Sequence, residues 1–206
     1  SVTDRCNFRC SYCMPREHFG QEPVFLDRGA ILEFEEIVRL ARVFVGLGVE
    51  KIRLTGGEPL LRHGLPALVS RLRSIEGLRE LALPTNGALL KELALPLRQA
   101  GLDRITVSLD SLDPARHAAI SGSPFPVGGV IAGIEAARRA GFSPIKLNCV
   151  LQRGVNEADI LPLAEFAREE GHILRFIEFM DAGTGNGWKL DRVVPASEVA
   201  SALASR

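Results

Sequence analysis

A chain of 206 residues, 46% hydrophobic and 24% charged, can bury one substantial core or two small ones and reads as an ordinary globular protein. Its 25 basic side chains balance 25 acidic ones, so no global field recruits nucleic acid or an anionic membrane, and any anion site must be built locally. No apolar run approaches membrane-spanning length. Neither nucleic acid nor a membrane is therefore expected as a partner.

Taken in chain order, short β-rich runs alternate with amphipathic stretches. Strands are expected at Ser1–Thr3, Lys51–Thr55, Glu80–Pro84, Arg104–Asp110, Ile145–Leu151 and Ile173–Met180. Helical patterns fall at about 34–47, 64–76, 90–100, 127–140 and 157–170, and a last helix starts after Pro195. In the first of them Phe34, Ile37, Ala41 and Phe44 recur at helical spacing, opposite Glu35, Glu36 and Arg39. Asn156 reads as an N-cap for the helix that Gly171 ends. Repeated β–α units without hairpin signals imply a parallel sheet covered by helices. Polar residues near strand C-termini (Thr55, Ser108, Asn148, Glu178) favour an α/β partial TIM-type (β/α)6 barrel with its site at that end. No linker or low-complexity tract divides residues 1–206, which read as one domain.

Directly after the first predicted strand comes "DRCNFRCSYC", which holds Cys6, Cys10 and Cys13, three of the four cysteines in the chain. Cysteines this close together are metal ligands of a reducing compartment more often than a disulfide framework, which places the protein in the cytoplasm. A structural zinc site wants four protein ligands, and so does a plain electron-transfer cubane. His18 and Cys149 are the candidates for a fourth. Strand alternation puts Lys146 and Asn148 on one face and Ile145, Leu147, Cys149 and Leu151 on the other, which makes Cys149 a core residue; His18, a lone loop histidine, reads as a surface residue. What remains is a cluster held by three cysteines with one iron left open.

The Cys-x3-Cys-x2-Cys spacing, with aromatic Tyr12 before the last cysteine, resembles the signature of the radical S-adenosylmethionine (SAM) enzymes. The resemblance implies a [4Fe–4S] cluster on Cys6, Cys10 and Cys13 whose open iron binds S-adenosyl-L-methionine, which one electron cleaves to a 5′-deoxyadenosyl radical. The chemistry then belongs to the cofactor, and no side chain is expected to be catalytic. "GGEP" at residues 56–59, after the second predicted strand, matches the family's cofactor-binding turn. The family pattern implies cofactor contacts at Tyr12, Gly57, Ser108 and Met180.

Across the chain, "SVTDRCNFRCSYCMP", "EEIVRLARVFVGLGVEKIRLTGGEPLLR", "AGLDRITVSLDSLD", "GVNEADILPLAEFA" and "ILRFIEFMDAGTGNGW" look like the GTP 3′,8-cyclase (MoaA) family of molybdenum-cofactor biosynthesis. That resemblance implies GTP as substrate, an electron donor such as a flavodoxin or ferredoxin, and admits a homodimer. No P-loop is present, so cationic side chains must hold a triphosphate. Arg53 and Lys146 are implied as substrate contacts, with Lys51 and Arg175 beside them. Simple alternation from Glu178 and Met180 turns Arg175 outward, so its role asks for a bulge or another register. The sequence departs from the family in three ways: an upstream arginine segment is absent, Pro84 stands where a threonine is usual, and the cysteines of a second, C-terminal [4Fe–4S] cluster are absent after Cys149. The expectation is an N-terminal fragment ending near residue 206, or else an incomplete enzyme. Two other readings stand beside it: a radical peptide-modifying enzyme, which would not need the cationic set, and a non-catalytic iron–sulfur or zinc-binding module.

Overall fold

The computed structural model describes residues 1–20, 23–183 and 185–205. Five strands, β1 (Lys51–Arg53), β2 (Glu80–Thr85), β3 (Arg104–Ser108), β4 (Lys146–Leu151) and β5 (Ile173–Glu178), form a sheet in the order β1-β2-β3-β4-β5, open rather than closed on itself. The ladders β1–β2, β2–β3 and β4–β5 are all parallel. The helices are α1 (Arg16–Phe19), α2 (Phe34–Gly46), α3 (Leu65–Arg73), α4 (Leu90–Gln99), α5 (Pro114–Ser121), α6 (Val127–Arg139), α7 (Ile160–Glu169) and α8 (Ala196–Ala204). This is the α/β architecture of a partial TIM-type barrel.

The expected sixth strand does not form. Val2 N–H donates to Thr55 O at 2.7 Å and Gly57 N–H to Thr3 O at 2.9 Å, beyond the end of β1. Two such bonds tie Ser1–Thr3 down but are too few for a ladder. Helix α5 was not expected. Asp113 caps it by accepting from Arg116 N–H at 2.8 Å, Pro114 opens it, and Gly122 closes it in the left-handed region at φ 57°. Asn156 is not the side-chain cap anticipated for α7: its Oδ1 accepts from Gln152 N–H at 2.9 Å, and a 3-10 turn at Glu157–Asp159 leads into the helix. On α2 the buried positions are Val38 and Ala41, and Phe44 is 51% exposed rather than in the core.

Interactions within the chain divide it into two compact units, each built from three separate segments. The first comprises Ser1–Cys6, Phe25–Val107 and Ala132–Ile145. Its core is aliphatic, with Leu68, Leu72, Leu81, Leu97 and Val107 fully buried. The second comprises Asn7–Val24, Ser108–Ile131 and Lys146–Arg206. There β4 alternates strictly between half-buried and buried positions, so Leu147, Cys149 and Leu151 face the core.

Candidate active site

In the second unit residues 10–14 close a tight turn: Cys13 N–H and Met14 N–H both donate to Cys10 O, at 3.0 and 2.9 Å. Arg9 N–H and Ser11 N–H donate to Ser121 O and Ile120 O, anchoring the turn to the end of α5. Cys6 and Cys10 are half-buried, Cys13 is exposed, and all are thiols rather than disulfides. Tyr12, expected at the cofactor, sends its hydroxyl to Asp110 Oδ2 at 2.9 Å. Burial, then the Asp110 charge, raise the tyrosine well above its ordinary pKa. Burial likewise pushes Asp110 up to about 6, against the opposing pull of Val150 N–H and the Tyr12 hydroxyl. The Tyr12 carbonyl accepts from Asn186 Nδ2 at 2.9 Å, and the same amide reaches Met180 O at 3.1 Å. Met180 itself, just past β5, is 63% exposed. Asp110 and Asn186 were not anticipated from the sequence.

In the first unit, "GGEP" packs against the backbone that leads into Cys6. A Cβ on Gly57 would overlap the carbonyls of Arg5 and Asp4, and one on Gly56 that of Thr3, so only glycine fits. Gly57 N–H and Glu58 N–H donate to Thr3 O and Arg5 O at 2.9 and 2.7 Å. The Glu58 carboxylate, 2% exposed, accepts from Leu60 N–H (3.0 Å), the Thr85 hydroxyl (2.8 Å) and Asn86 N–H (2.7 Å). Burial raises its pKa, and these three hydrogen bonds pull the other way. Glu58 thus locks the loop after β1 onto the end of β2.

The cations fall on the polar rows of their strands. Lys51 and Arg53 share the face that carries Glu80 and Ala82 in register on β2. Lys51 is held by Glu80 at 2.6 Å, and Glu80 also meets Arg104 at 3.6 Å; Arg53 is exposed and, among the described residues, forms no ion pair. In the second unit Arg175 lies opposite Asn148, and Lys146 opposite Ile173, in an unbroken ladder. Arg175 therefore shares the face of Lys146 and Asn148 without any bulge. Glu178 is the residue that points the other way: it pairs with Leu151, and its carboxylate accepts from Ala196 N–H at 2.7 Å, at the start of α8. Alternation counted from Glu178 turns Arg175 outward because Glu178 belongs to the opposite row from Lys146 and Asn148. Asn148 Oδ1 is buried with no hydrogen-bond partner among the described residues, an acceptor left open on that same row. Ser108, half-buried, closes β3 two residues past Thr106.

Of the two candidates for a fourth ligand, one lies in the core and the other at the surface. Cys149 is fully buried, its thiol contacts Asp110 O at 3.6 Å, and burial followed by the charges of Asp110 and Asp159 drives its pKa far upward. His18 is exposed on α1. No three His, Cys, Asp or Glu side chains among the described residues come close enough to share a single metal ion. The donor set of the cysteine stretch, three thiols with no carboxylate or imidazole, suits an iron–sulfur cluster, whose ligands stand further apart than those of one ion.

The structure thus offers a cysteine turn in the second unit and a glycine cradle in the first, on a parallel α/β sheet. The family model described as the radical SAM superfamily matches residues 1–167, and the chain belongs to that superfamily. GTP 3′,8-cyclase of Acidothermus cellulolyticus is 57% identical over 205 residues, covering 100% of this chain and 57% of that protein. The enzyme of the same name from Xanthomonas axonopodis pv. citri is 52% identical over 206 residues, covering 100% of this chain and 61% of its own length. The chain thus spans under two thirds of these relatives. Among solved structures, methylornithine synthase superposes with a TM-score of 0.72 at 20% identity, covering 98% of this chain and 59% of that one. The hydrogenase maturase HydG of Carboxydothermus hydrogenoformans gives 0.72 at 18%, covering 96% and 47%. At those identities the likeness shows the fold alone. No helix among the described residues is long and apolar enough to cross a membrane.

Proposed function

We propose that this chain is the radical SAM portion of a GTP 3′,8-cyclase, acting in the first step of molybdenum-cofactor biosynthesis, in which GTP becomes (8S)-3′,8-cyclo-7,8-dihydroguanosine 5′-triphosphate. The observation that carries it is the 57% identity to such an enzyme along the whole chain. Cys6, Cys10 and Cys13 would hold a [4Fe–4S] cluster, and Tyr12, Gly57, Ser108 and Met180 would border S-adenosyl-L-methionine. When bound, these groups supply the radical that abstracts hydrogen from the substrate. The chain's own residues bind, orient and exclude water. Gly56 and Gly57 keep the backbone before Cys6 tight against the sheet, and Glu58 holds that cradle rigid. Arg53 and Lys146, with Arg175 and the Glu80-paired Lys51 beside them, would offer charge to a triphosphate. A low-potential donor of the flavodoxin or ferredoxin type would supply the electron, in the cytoplasm. A second, guanine-binding cluster would belong to sequence outside these residues.

The test is anaerobic reconstitution followed by spectroscopy with and without S-adenosylmethionine, then GTP binding. The cofactor should perturb the reduced cluster's spectrum; an unchanged spectrum overturns the open-iron reading. Arg53→Ala and Lys146→Ala should each weaken GTP binding by about tenfold or more, the worth of one charge-assisted phosphate contact. Unaltered affinity in both overturns the triphosphate assignment.

A further inference from the structure

Tyr12 is the only tyrosine in the chain, and it is gripped at both ends. We propose that Asp110 and Asn186 are positioning residues that hold Tyr12 by its hydroxyl and its main-chain carbonyl, fixing the Cys10–Cys13 turn against the segment that carries Met180.

Asp110 is 8% exposed, and both carboxylate oxygens are committed: Oδ2 to the Tyr12 hydroxyl at 2.9 Å, Oδ1 to Val150 N–H at 2.8 Å. Its carbonyl accepts from Asn156 Nδ2 at 2.9 Å, and that amide also reaches Val150 O at 3.0 Å. The carboxylate is thus immobilised by β4 and by the turn before α7. Among the described residues no lysine or arginine forms an ion pair with it. A buried carboxylate with no cation is costly, and two well-aligned donors are what it gains in return. One of those donors is the side chain in the middle of the cysteine turn.

Asn186 is 7% exposed and spends both amide hydrogens on carbonyls, Tyr12 O and Met180 O, while its Oδ1 accepts from Trp188 N–H at 3.2 Å. The loop is braced further by Trp188 Nε1, which donates to Phe179 O at 3.0 Å. One amide therefore spans the cysteine turn and the end of β5, where the proposed function puts cluster ligands and a cofactor contact. A backbone carbonyl pair can be bridged this way only by a side chain with two donors on one atom, which asparagine has and aspartate lacks.

The assignment rests on the reading that the cysteine turn carries an iron–sulfur cluster, and the experiment separates the two. The reconstituted protein is challenged with an iron chelator, and the reduced cluster's electron paramagnetic resonance spectrum is recorded with and without S-adenosylmethionine. Tyr12→Phe keeps the ring and removes only the donor; Asn186→Asp keeps the shape and removes both donors. Each should lose iron about tenfold faster and show a smaller cofactor-induced spectral change, the scale expected for one hydrogen bond to a charged or doubly used group. Asp110→Asn, which can still bond both partners, should stay within about threefold of the unmodified protein. A lowered melting temperature with unchanged iron loss and spectrum in Tyr12→Phe and Asn186→Asp would make the contacts merely structural and overturn the proposal. If the unmodified protein shows no cofactor-dependent change at all, the cluster reading falls and takes this one with it.

Discussion

Glu58 offers the sharpest test of how the fold supports its site. Its carboxylate accepts three hydrogen bonds from within the first unit, two of them from backbone N–H groups. In Glu58→Gln one carboxylate oxygen becomes an amide nitrogen. If that nitrogen faces Asn86 N–H, a bond is lost and two donors oppose each other; if it faces Leu60 N–H and the Thr85 hydroxyl, two contacts suffer instead. The first arrangement is cheaper. Losing one bond to a charged acceptor costs about 2–3 kcal/mol, offset by about 1 kcal/mol because a neutral amide is easier to bury, for a net loss near 2 kcal/mol. Glu58→Ala strands three donors and opens a void, for roughly 4 kcal/mol or more. Urea unfolding followed by circular dichroism reads both losses. With a slope of about 2 kcal/mol/M, the glutamine variant's midpoint should fall by about 1 M at unchanged slope. A midpoint within about 0.25 M of the unmodified protein, or an alanine variant no worse than the glutamine one, would refute the three-bond account.

Other outcomes follow from the same geometry. Gly57→Ala drives a methyl group into the Arg5 and Asp4 carbonyls, where backbone must yield, and should cost about 1–3 kcal/mol by the same unfolding assay. Cys149→Ala should cost about 1 kcal/mol of stability yet leave iron content after reconstitution unchanged, as measured by colorimetric iron assay. Asp110 imposes a pH dependence of definite sign. Its folded pKa of about 6 lies above the ordinary 3.8, so the native state holds the proton more tightly and the carboxylate's contribution to stability falls as pH rises from about 4 to about 6. Two units correspond to about 3 kcal/mol, and unfolding of Asp110→Asn across that window should lack this slope. Identical pH profiles for the two proteins would overturn the assignment.

Much of the fold was legible because the signals were local. Alternation in Lys146–Leu151 places Cys149 in the core without any tertiary information, and the β–α rhythm yields the parallel sheet. Helix α5 carries local signals only at its ends, the Asp113-Pro114 start and the Gly122 stop, around a run too short to show a clear helical period. What could not be read were contacts between residues remote in sequence. Nothing near Asp110 says that its partner is Tyr12, and nothing near Asn186 says that it bridges Tyr12 and Met180. Glu58 looked like one more letter of a turn motif until Thr85 and Asn86 arrived beside it. The face of Arg175 was misjudged for a related reason: Glu178 is polar because α8 begins beside it, a fact of packing rather than of strand periodicity.

The depth of Cys149 also bears on assembly. A thiol must lose its proton to ligate iron, and this one sits where a negative charge is least welcome, beside two carboxylates and out of reach of solvent. It cannot compete with the cysteines of the turn for incoming metal. A cluster of the kind proposed on Cys6, Cys10 and Cys13 would therefore be assembled without this fourth sulfur.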